Sequence, residues 1–129
     1  MPIQIGWHPS LKHTIYYEFA EVWTWQEYGE AFRGELWLAS HLNGDRYHVI
    51  ANLLGTALIP KGPIFSNFYS TVKSSPNNLG QVVVITTNRF ILAMFATVLK
   101  IHPEIRDSLY LTNTLEDGQN YILNLSINA

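Results

Sequence analysis

From its middle onward, the chain repeats a strand-like segment followed by a helix-like segment three times, and this repetition constrains the fold more than any other feature. In the first unit, the strand Tyr47–Leu54 is followed by a helix from Pro63 to about Lys73. In the second, the strand Gln81–Thr86 is followed by a helix that Asn88 caps and that runs to His102. In the third, the strand Ser108–Leu111 is followed by a helix from Thr114 to about Leu125. Consecutive units of this kind place their strands parallel in one sheet, through right-handed crossovers. Tyr47–Leu54 is apolar on both alternating faces, which is typical of a central strand covered by helices on both sides.

The first forty residues predict two more strands and one sharply defined helix. Ile3–Trp7 and Thr14–Phe19 are rich in β-branched and aromatic residues, as strands are. Thr24 and Glu27 form a capping box, so the first helix begins there and ends near His41. Its predicted apolar stripe contains Trp25, Tyr28, Phe32, Leu36 and Ala39. Together, the elements predict an α/β fold in a single domain over residues 1–129: a mixed, mostly parallel β-sheet flanked by about four helices, with the antiparallel strands at one edge.

Composition narrows the function classes. Only 14% of the 129 residues are charged, against a typical share of about 25%, so part of the surface is expected to be apolar and covered by another subunit. The net charge of −2 supplies no positive field, and we expect no nucleic-acid partner. The absence of cysteine excludes disulfides, thiolate metal sites and a cysteine nucleophile.

Targeting and membrane signals are not found in the sequence. Met1–Ser10 has neither the basic nor the apolar region of a signal peptide. The longest charge-free apolar stretch, Phe90–Leu99, is far shorter than the roughly 20 residues that span a bilayer. We therefore expect a cytoplasmic protein without stable membrane insertion.

No catalytic motif is present. The chain lacks the glycine-rich nucleotide loops, the zinc-protease motif and the nucleophile elbow. His8 and His13 fall in a loop, and His48 is expected to hydrogen-bond within the core or at its edge. We expect no catalytic residue, no metal site and no cofactor. An enzyme that uses the crevice beyond the strand ends is the weakest of three functional hypotheses.

Polar side chains follow each of the three predicted parallel strands, where α/β proteins bind ligands. They are Asn52 after the first, Thr86, Thr87 and Asn88 after the second, and Thr112 and Thr114 after the third. Two of these clusters lead into a helix N-terminus, which favours anions. The sequence is therefore compatible with a small anion crevice. The alternative, which the sequence favours because capping alone explains Asn88 and Thr114, is that these side chains only cap helices and close turns.

Two helices carry apolar residues away from their predicted buried faces. Trp37 lies about 120° from Trp25 around the first helix. In the helix that Asn88 caps, Leu92 and Leu99 lie opposite the main apolar face. We predict that Trp37, Leu92 and Leu99 belong to the interface of a homodimer. The alternative is that another part of the same chain covers them.

Four segments together resemble the STAS superfamily, specifically the bacterial anti-sigma-factor-antagonist-like (SpoIIAA-like) domains. They are Val22-Trp23-Thr24-Trp25-Gln26-Glu27-Tyr28, Tyr47–Leu54, Val82–Thr86 and Leu111-Thr112-Asn113-Thr114-Leu115-Glu116-Asp117. The resemblance covers roughly residues 15–123. It implies a mixed sheet flanked by helices, no enzymatic activity, no cofactor, and a regulatory role through an unidentified protein partner.

One departure from the STAS pattern concerns phosphorylation. In phosphorylatable members, a serine follows the strand that corresponds to Tyr47–Leu54, but the stretch from Thr56 to Gly62 contains none. Asn52 stands near the usual aspartate, and the nearest hydroxyls are Thr56 and Ser66. We predict a non-catalytic regulatory or protein–protein interaction domain without the usual phosphorylation switch. The alternative, by fold analogy, is a binding module for a small apolar or anionic ligand.

Overall fold

In the computed structural model, which describes residues 2–62 and 64–127, a single five-stranded sheet runs through the protein. Its strands lie in sequence order: β1 (Ile3–Trp7), β2 (Thr14–Phe19), β3 (Tyr47–Asn52), β4 (Leu79–Ile85) and β5 (Leu109–Thr112). β1 pairs with β2 antiparallel, and every later pair is parallel. This confirms the predicted α/β class, with a mixed, mostly parallel sheet and the antiparallel pair at one edge.

Four α-helices and two short 3-10 segments are found in the described residues. The α-helices are α1 (Trp25–Ala39), α2 (Ile64–Ser74), α3 (Arg89–Ile101) and α4 (Leu115–Ile127), and the 3-10 segments are Ser40–Leu42 and Pro103–Ser108. Each helix lies where the sequence predicts one. Pro63, the expected first residue of α2, lies outside the described residues.

The start of α1 follows directly from its sequence. The Thr24 Oγ1 accepts a hydrogen bond from the Glu27 backbone N–H at 3.1 Å, and a Glu27 carboxylate oxygen accepts one from the Thr24 N–H at 2.9 Å. This confirms the predicted capping box, whose loss destabilises a helix by about 1 kcal/mol.

The buried face of α1 differs from the predicted stripe. The buried residues are Ala31, Glu35 and Ala39. Of the predicted stripe, Trp25, Tyr28, Phe32 and Leu36 are only half-buried. The small alanines allow α1 to approach the sheet closely, whereas three of the large aromatic residues border a cavity instead.

Helices cover both faces of the sheet. Residues of α1, α2 and α3 pack in one hydrophobic cluster with Ile15, Tyr17, Val49 and Val84. Ile122 of α4 packs on the opposite face against Ile50, Val83 and Ile85. β3 contributes to both clusters, which confirms it as a central strand. Each fully buried aliphatic side chain stabilises the fold by roughly 1.5–3 kcal/mol.

His48 has a structural role in β3. Its Nδ1 accepts a hydrogen bond from the Gln81 backbone N–H at 2.9 Å. A Cβ atom on Gly80 would lie 2.5 Å from the imidazole ring, so the ring occupies space that only glycine leaves free. This confirms the predicted hydrogen-bonded strand histidine.

Candidate functional site

A cavity of about 280 Å³ lies between the sheet and helices α1, α2 and α3. Most of the strand residues that line it lie on the face of the sheet that α1, α2 and α3 cover. The lining strand residues are Tyr17, Phe19, Val49, Ala51, Leu79, Gly80, Val82, Val84 and Leu109. The aromatic residues that line it from the helices and from the loop before α1 are Trp23, Trp25, Tyr28, Phe32, Phe68 and Phe95. The small side chain of Ala51, on the central strand, contributes to the space. The result is a mainly apolar cavity with a strongly aromatic lining.

One buried carboxyl group, that of Glu35, interrupts this apolar lining. Glu35 is only 4% exposed, and its two oxygens accept hydrogen bonds from two tyrosines. The Tyr17 hydroxyl donates to Oε1 at 2.5 Å, and the Tyr47 hydroxyl donates to Oε2 at 2.7 Å. Tyr17 is 4% exposed and Tyr47 is fully buried, so this polar cluster lies at the deep end of the cavity.

Burial controls the protonation of this cluster. It raises the pKa of the Glu35 carboxyl, and the bonds from Tyr17 and Tyr47 oppose that shift without cancelling it. Burial also raises the pKa of each tyrosine, and the adjacent Glu35 charge adds to the rise. Both tyrosines therefore act as neutral donors near pH 7.

A second polar contact joins two helices across the cavity. The Tyr28 hydroxyl of α1 lies 2.8 Å from the Thr71 Oγ1 of α2. Thr71 in turn donates to the Phe68 carbonyl at 2.7 Å, which leaves its oxygen to accept from Tyr28. Burial raises the pKa of Tyr28 to about 12. α2 is thus fixed to α1 by a neutral hydrogen bond beside the apolar lining.

At the outer end of the cavity, α2 is fixed to the segment after α3. The Tyr69 ring stacks on His102 at a centroid distance of 3.6 Å, and its hydroxyl donates to Glu104 at 3.3 Å. Glu104 also lies 3.4 Å from the His102 Nδ1 and is exposed. Its own backbone N–H is the largest cause of the lowered pKa of the Glu104 carboxyl, and the charge of His102 adds to it. Of the described residues that line the cavity, two are carboxylic acids and none is basic.

The strand-end residues meet at one edge of the sheet, because Asn52, Ile85 and Thr112 are register partners. Asn88 caps α3, and its Oδ1 accepts from the N–H groups of Phe90 and Ile91. The buried Thr86 Oγ1 accepts from the Asn88 N–H at 3.1 Å, and Thr87 is exposed. These bonds already use the amide donors that an anion would need at the start of α3.

The remaining strand-end side chains also bind within the protein. The Asn52 amide donates to the Tyr16 hydroxyl at 2.8 Å, on the α4 side of the sheet. Thr112 and Tyr110 both donate to the Asp117 carboxylate, at 2.6 and 2.7 Å. The Thr114 Oγ1 accepts from the Asp117 N–H at 3.1 Å. A bound anion would have to displace these contacts beside a carboxylate, and the anion crevice stays a prediction.

The predicted interface residues lie in different surroundings. Trp37 is 65% exposed and contacts His41, with ring centroids 4.6 Å apart. Leu92 and Leu99 are half-buried. On the same helix, α3, Phe90 and Ile101 are more exposed than either leucine. Trp37 therefore lies outside the intrachain core, as its position around α1 predicts, whereas the homodimer itself stays a prediction.

Of the two hydroxyls near the missing serine, Thr56 is inaccessible. It is 5% exposed, donates to the Ala20 carbonyl at 2.9 Å, and accepts from the Trp23 indole N–H at 3.2 Å. Ser66 is exposed. A kinase would have to open the loop around Thr56 to reach its hydroxyl.

The Glu35 cluster is the feature that sequence reasoning missed. A signal for it exists, because Glu35 lies seven residues after Tyr28 and hence within roughly 20° of it around α1. A carboxylate within an apolar helical stripe indicates a buried partner or a binding role. The tyrosine partners could not be predicted, since they come from β2 and β3.

Comparison with protein-family models, with curated proteins and with solved structures found no match to this chain. The STAS resemblance therefore stays a prediction. Within residues 2–62 and 64–127, no group of histidine and carboxylate side chains is arranged to hold a metal ion. The helices of that same part of the chain are all too short or too polar to cross a membrane.

Proposed function

We propose that this protein is a non-catalytic binding module, and that the cavity beneath α1, α2 and α3 holds a small, mainly apolar ligand. The single observation that supports this proposal is an aromatic-lined space of about 280 Å³ with one buried carboxyl group at its deep end. Ligand sites typically combine an apolar lining with a few polar groups that fix orientation. A cavity of about 150 Å³ binds benzene, so this one suits a molecule of roughly eleven non-hydrogen atoms.

The energetics favour an occupied cavity. Protein interiors are close-packed, and an unfilled apolar cavity destabilises the fold by about 24 cal/mol per Å³. This cavity is partly open to solvent, so its aromatic lining also exposes apolar surface that a ligand would remove from water. A ligand that fills the space recovers part of this free energy as binding affinity.

A titration with phenylbutanol, followed by calorimetry, tests the proposal. The probe has an apolar body of the right size and one neutral hydroxyl. We expect the wild type to bind it and Ala51→Leu to bind it at least about tenfold more weakly, because the added methyl groups occupy the cavity. The matched control is Ala96→Leu at an exposed position of α3, which we expect to bind as the wild type does. Absence of binding to the wild type would contradict the proposal.

A second candidate function is the regulatory, protein–protein interaction role that the STAS resemblance implies, carried out by a homodimer. The exposed indole of Trp37 favours it, since a tryptophan that is 65% exposed is typical of an interface anchor. Sedimentation tests the homodimer. The two functions are compatible, because Trp37 does not line the cavity.

A further inference from the structure

Resting on the proposed function, we propose that the ligand is an organic cation: an apolar amine whose ammonium group pairs with the carboxylate of Glu35. Three observations support it: the charges that line the cavity, the lone pairs that Glu35 keeps beside its two hydrogen bonds, and the aromatic rings that line the cavity.

The charge around the cavity is of one sign. Glu35 and Glu104 line it from its deep and outer ends, and no basic side chain lines it in the described part of the chain. Among the same residues, the single ion pair joins His102 to Glu104 and does not involve Glu35. A buried carboxylate without a cation is costly, because it has lost its hydration. An ammonium group on the ligand supplies the missing positive charge.

The hydrogen-bonding capacity of Glu35 also favours a ligand with an ammonium group. A carboxylate has about four acceptor positions, and Tyr17 and Tyr47 use two of them. The remaining lone pairs can accept further hydrogen bonds, and an ammonium group carries three donors. A second carboxylate would place two negative charges together, whereas an alcohol would leave the Glu35 charge uncompensated.

The aromatic lining suits a cation with an apolar body. Trp23, Trp25 and Tyr28 all line the cavity and contact one another, with ring centroids 5.2–6.1 Å apart. The same rings bury the hydrocarbon part of an amine.

Three probes with one apolar body and different head groups test this inference: phenylbutylamine, phenylbutanol and phenylbutanoate. Calorimetry near neutral pH is expected to show the amine binding the wild type at least about tenfold more tightly than the alcohol, and the carboxylate binding most weakly. In Glu35→Gln, which keeps the shape of the side chain, the preference for the amine should disappear while the alcohol still binds. The matched control is Glu18→Gln, since Glu18 accepts from Tyr16 on the opposite face of the sheet. It should keep the preference.

A measurement on the wild type alone covers the case in which Glu35→Gln fails to fold. As the pH is lowered through the pKa of Glu35, which burial raises, amine affinity should weaken because the carboxylate loses its charge, whereas alcohol affinity should not. The titratable groups that face Glu35 are Tyr17 on β2, Tyr47 on β3 and Tyr28 on its own helix. All three tyrosine hydroxyls stay protonated while Glu35 titrates, because burial raises the pKa of each.

The outcomes separate the two proposals. An alcohol or carboxylate that binds the wild type as tightly as the amine does would overturn the choice of a cation and leave the binding function standing. An amine preference that persists in Glu35→Gln would likewise overturn the choice of a cation and leave the binding function standing. Failure of all three probes to bind would overturn the binding function itself.

Discussion

At the residue scale, the Glu35 cluster couples stability to pH. Burial raises the pKa of the folded Glu35 carboxyl above the value of about 4.5 in the unfolded chain. The folded protein therefore holds this proton more tightly. The raised pKa adds to the free energy of unfolding. This addition is fully present below the pKa of the unfolded chain and is lost as the pH rises through the pKa of the folded protein. Chemical denaturation of the wild type and of Glu35→Gln, without ligand, is measured at pH values from below the unfolded pKa to above the folded pKa. As the pH rises, the wild type should lose stability relative to the variant. A difference that stays constant or grows in favour of the wild type would contradict the assignment.

Tyr17 and its neighbour Tyr16, which lie on opposite faces of the sheet, give a matched pair of substitutions. Tyr17→Phe removes a buried donor to Glu35 and should lower the free energy of unfolding near pH 7 by about 1–3 kcal/mol, because it leaves a buried carboxyl oxygen without its partner. Tyr16→Phe removes a hydroxyl that donates to the exposed Glu18 and accepts from the half-buried Asn52 amide, and should lower it by less, because both partners keep access to water. Equal losses in denaturant titrations would show that the Tyr17 bond has no special strength.

Residue roles that depend on near neighbours in sequence could be predicted, and roles that depend on distant ones could not. The caps of Thr24 and Asn88 follow from side chains that bond their own helix within three residues. Glu35 depends on tyrosines 18 residues before it and 12 residues after it. Only the folded sheet brings these hydroxyls to the carboxyl.

At the element scale, the packing of α4 against the sheet explains why this helix contains a glycine, Gly118, although glycine disfavours helices. Gly118 costs about 1 kcal/mol of helix propensity relative to alanine. A Cβ atom there would lie 3.0 Å from Val83 Cγ1 and 3.1 Å from Ile85 Cδ1, both on fully buried side chains. The glycine therefore permits α4 to approach the sheet.

Two glycine substitutions test this explanation. Gly118→Ala should destabilise the protein by about 1 kcal/mol, since overpacking typically costs about 1–3 kcal/mol and exceeds the gain in propensity. Gly29→Ala is the control, because its new Cβ would have Arg33 Nη1 as its nearest neighbour, at 3.9 Å. It should stabilise α1 by up to about 1 kcal/mol. A stabilising Gly118→Ala in thermal and denaturant unfolding would refute the close-approach explanation.

Strands and helices were predictable where local periodicity dominates. The bounds of β1 and β2 agree with the sequence, but β4 begins at Leu79, two residues before its predicted start. The extension arises from pairing with Tyr47 of β3, which is not a local signal. The buried face of α1 differs for a similar reason, because the position of the cavity decides which aromatic residues are covered.

At the scale of the whole molecule, Trp37 makes self-association testable. We expect sedimentation at micromolar concentration to give a dimer, twice the 14.7 kDa of the chain. Trp37→Glu should weaken it by placing an unpaired charge in the contact. The monomer should stay folded, since this side chain is 65% exposed. A wild type that sediments as a 14.7 kDa species would exclude the homodimer.

The α/β class could be predicted from the sequence, whereas the cavity could not. Strand–helix repeats determine the sheet, and sheets of this kind usually bind ligands beyond their strand ends. The cavity arises instead from the distance between the helix layer and the sheet, where Ala51 lies among larger residues. That distance depends on the whole arrangement of α1, α2 and α3.

A crystal structure of the protein soaked with phenylbutanol tests the central claim most directly. We expect electron density for one molecule between the strand residues Ala51 and Val84 and the α2 and α3 rings of Phe68 and Phe95. Its hydroxyl should lie toward Glu35, the buried polar group of the cavity. A crystal structure in which side chains close this space, with no density for the probe, would contradict the claim that the cavity is a binding site.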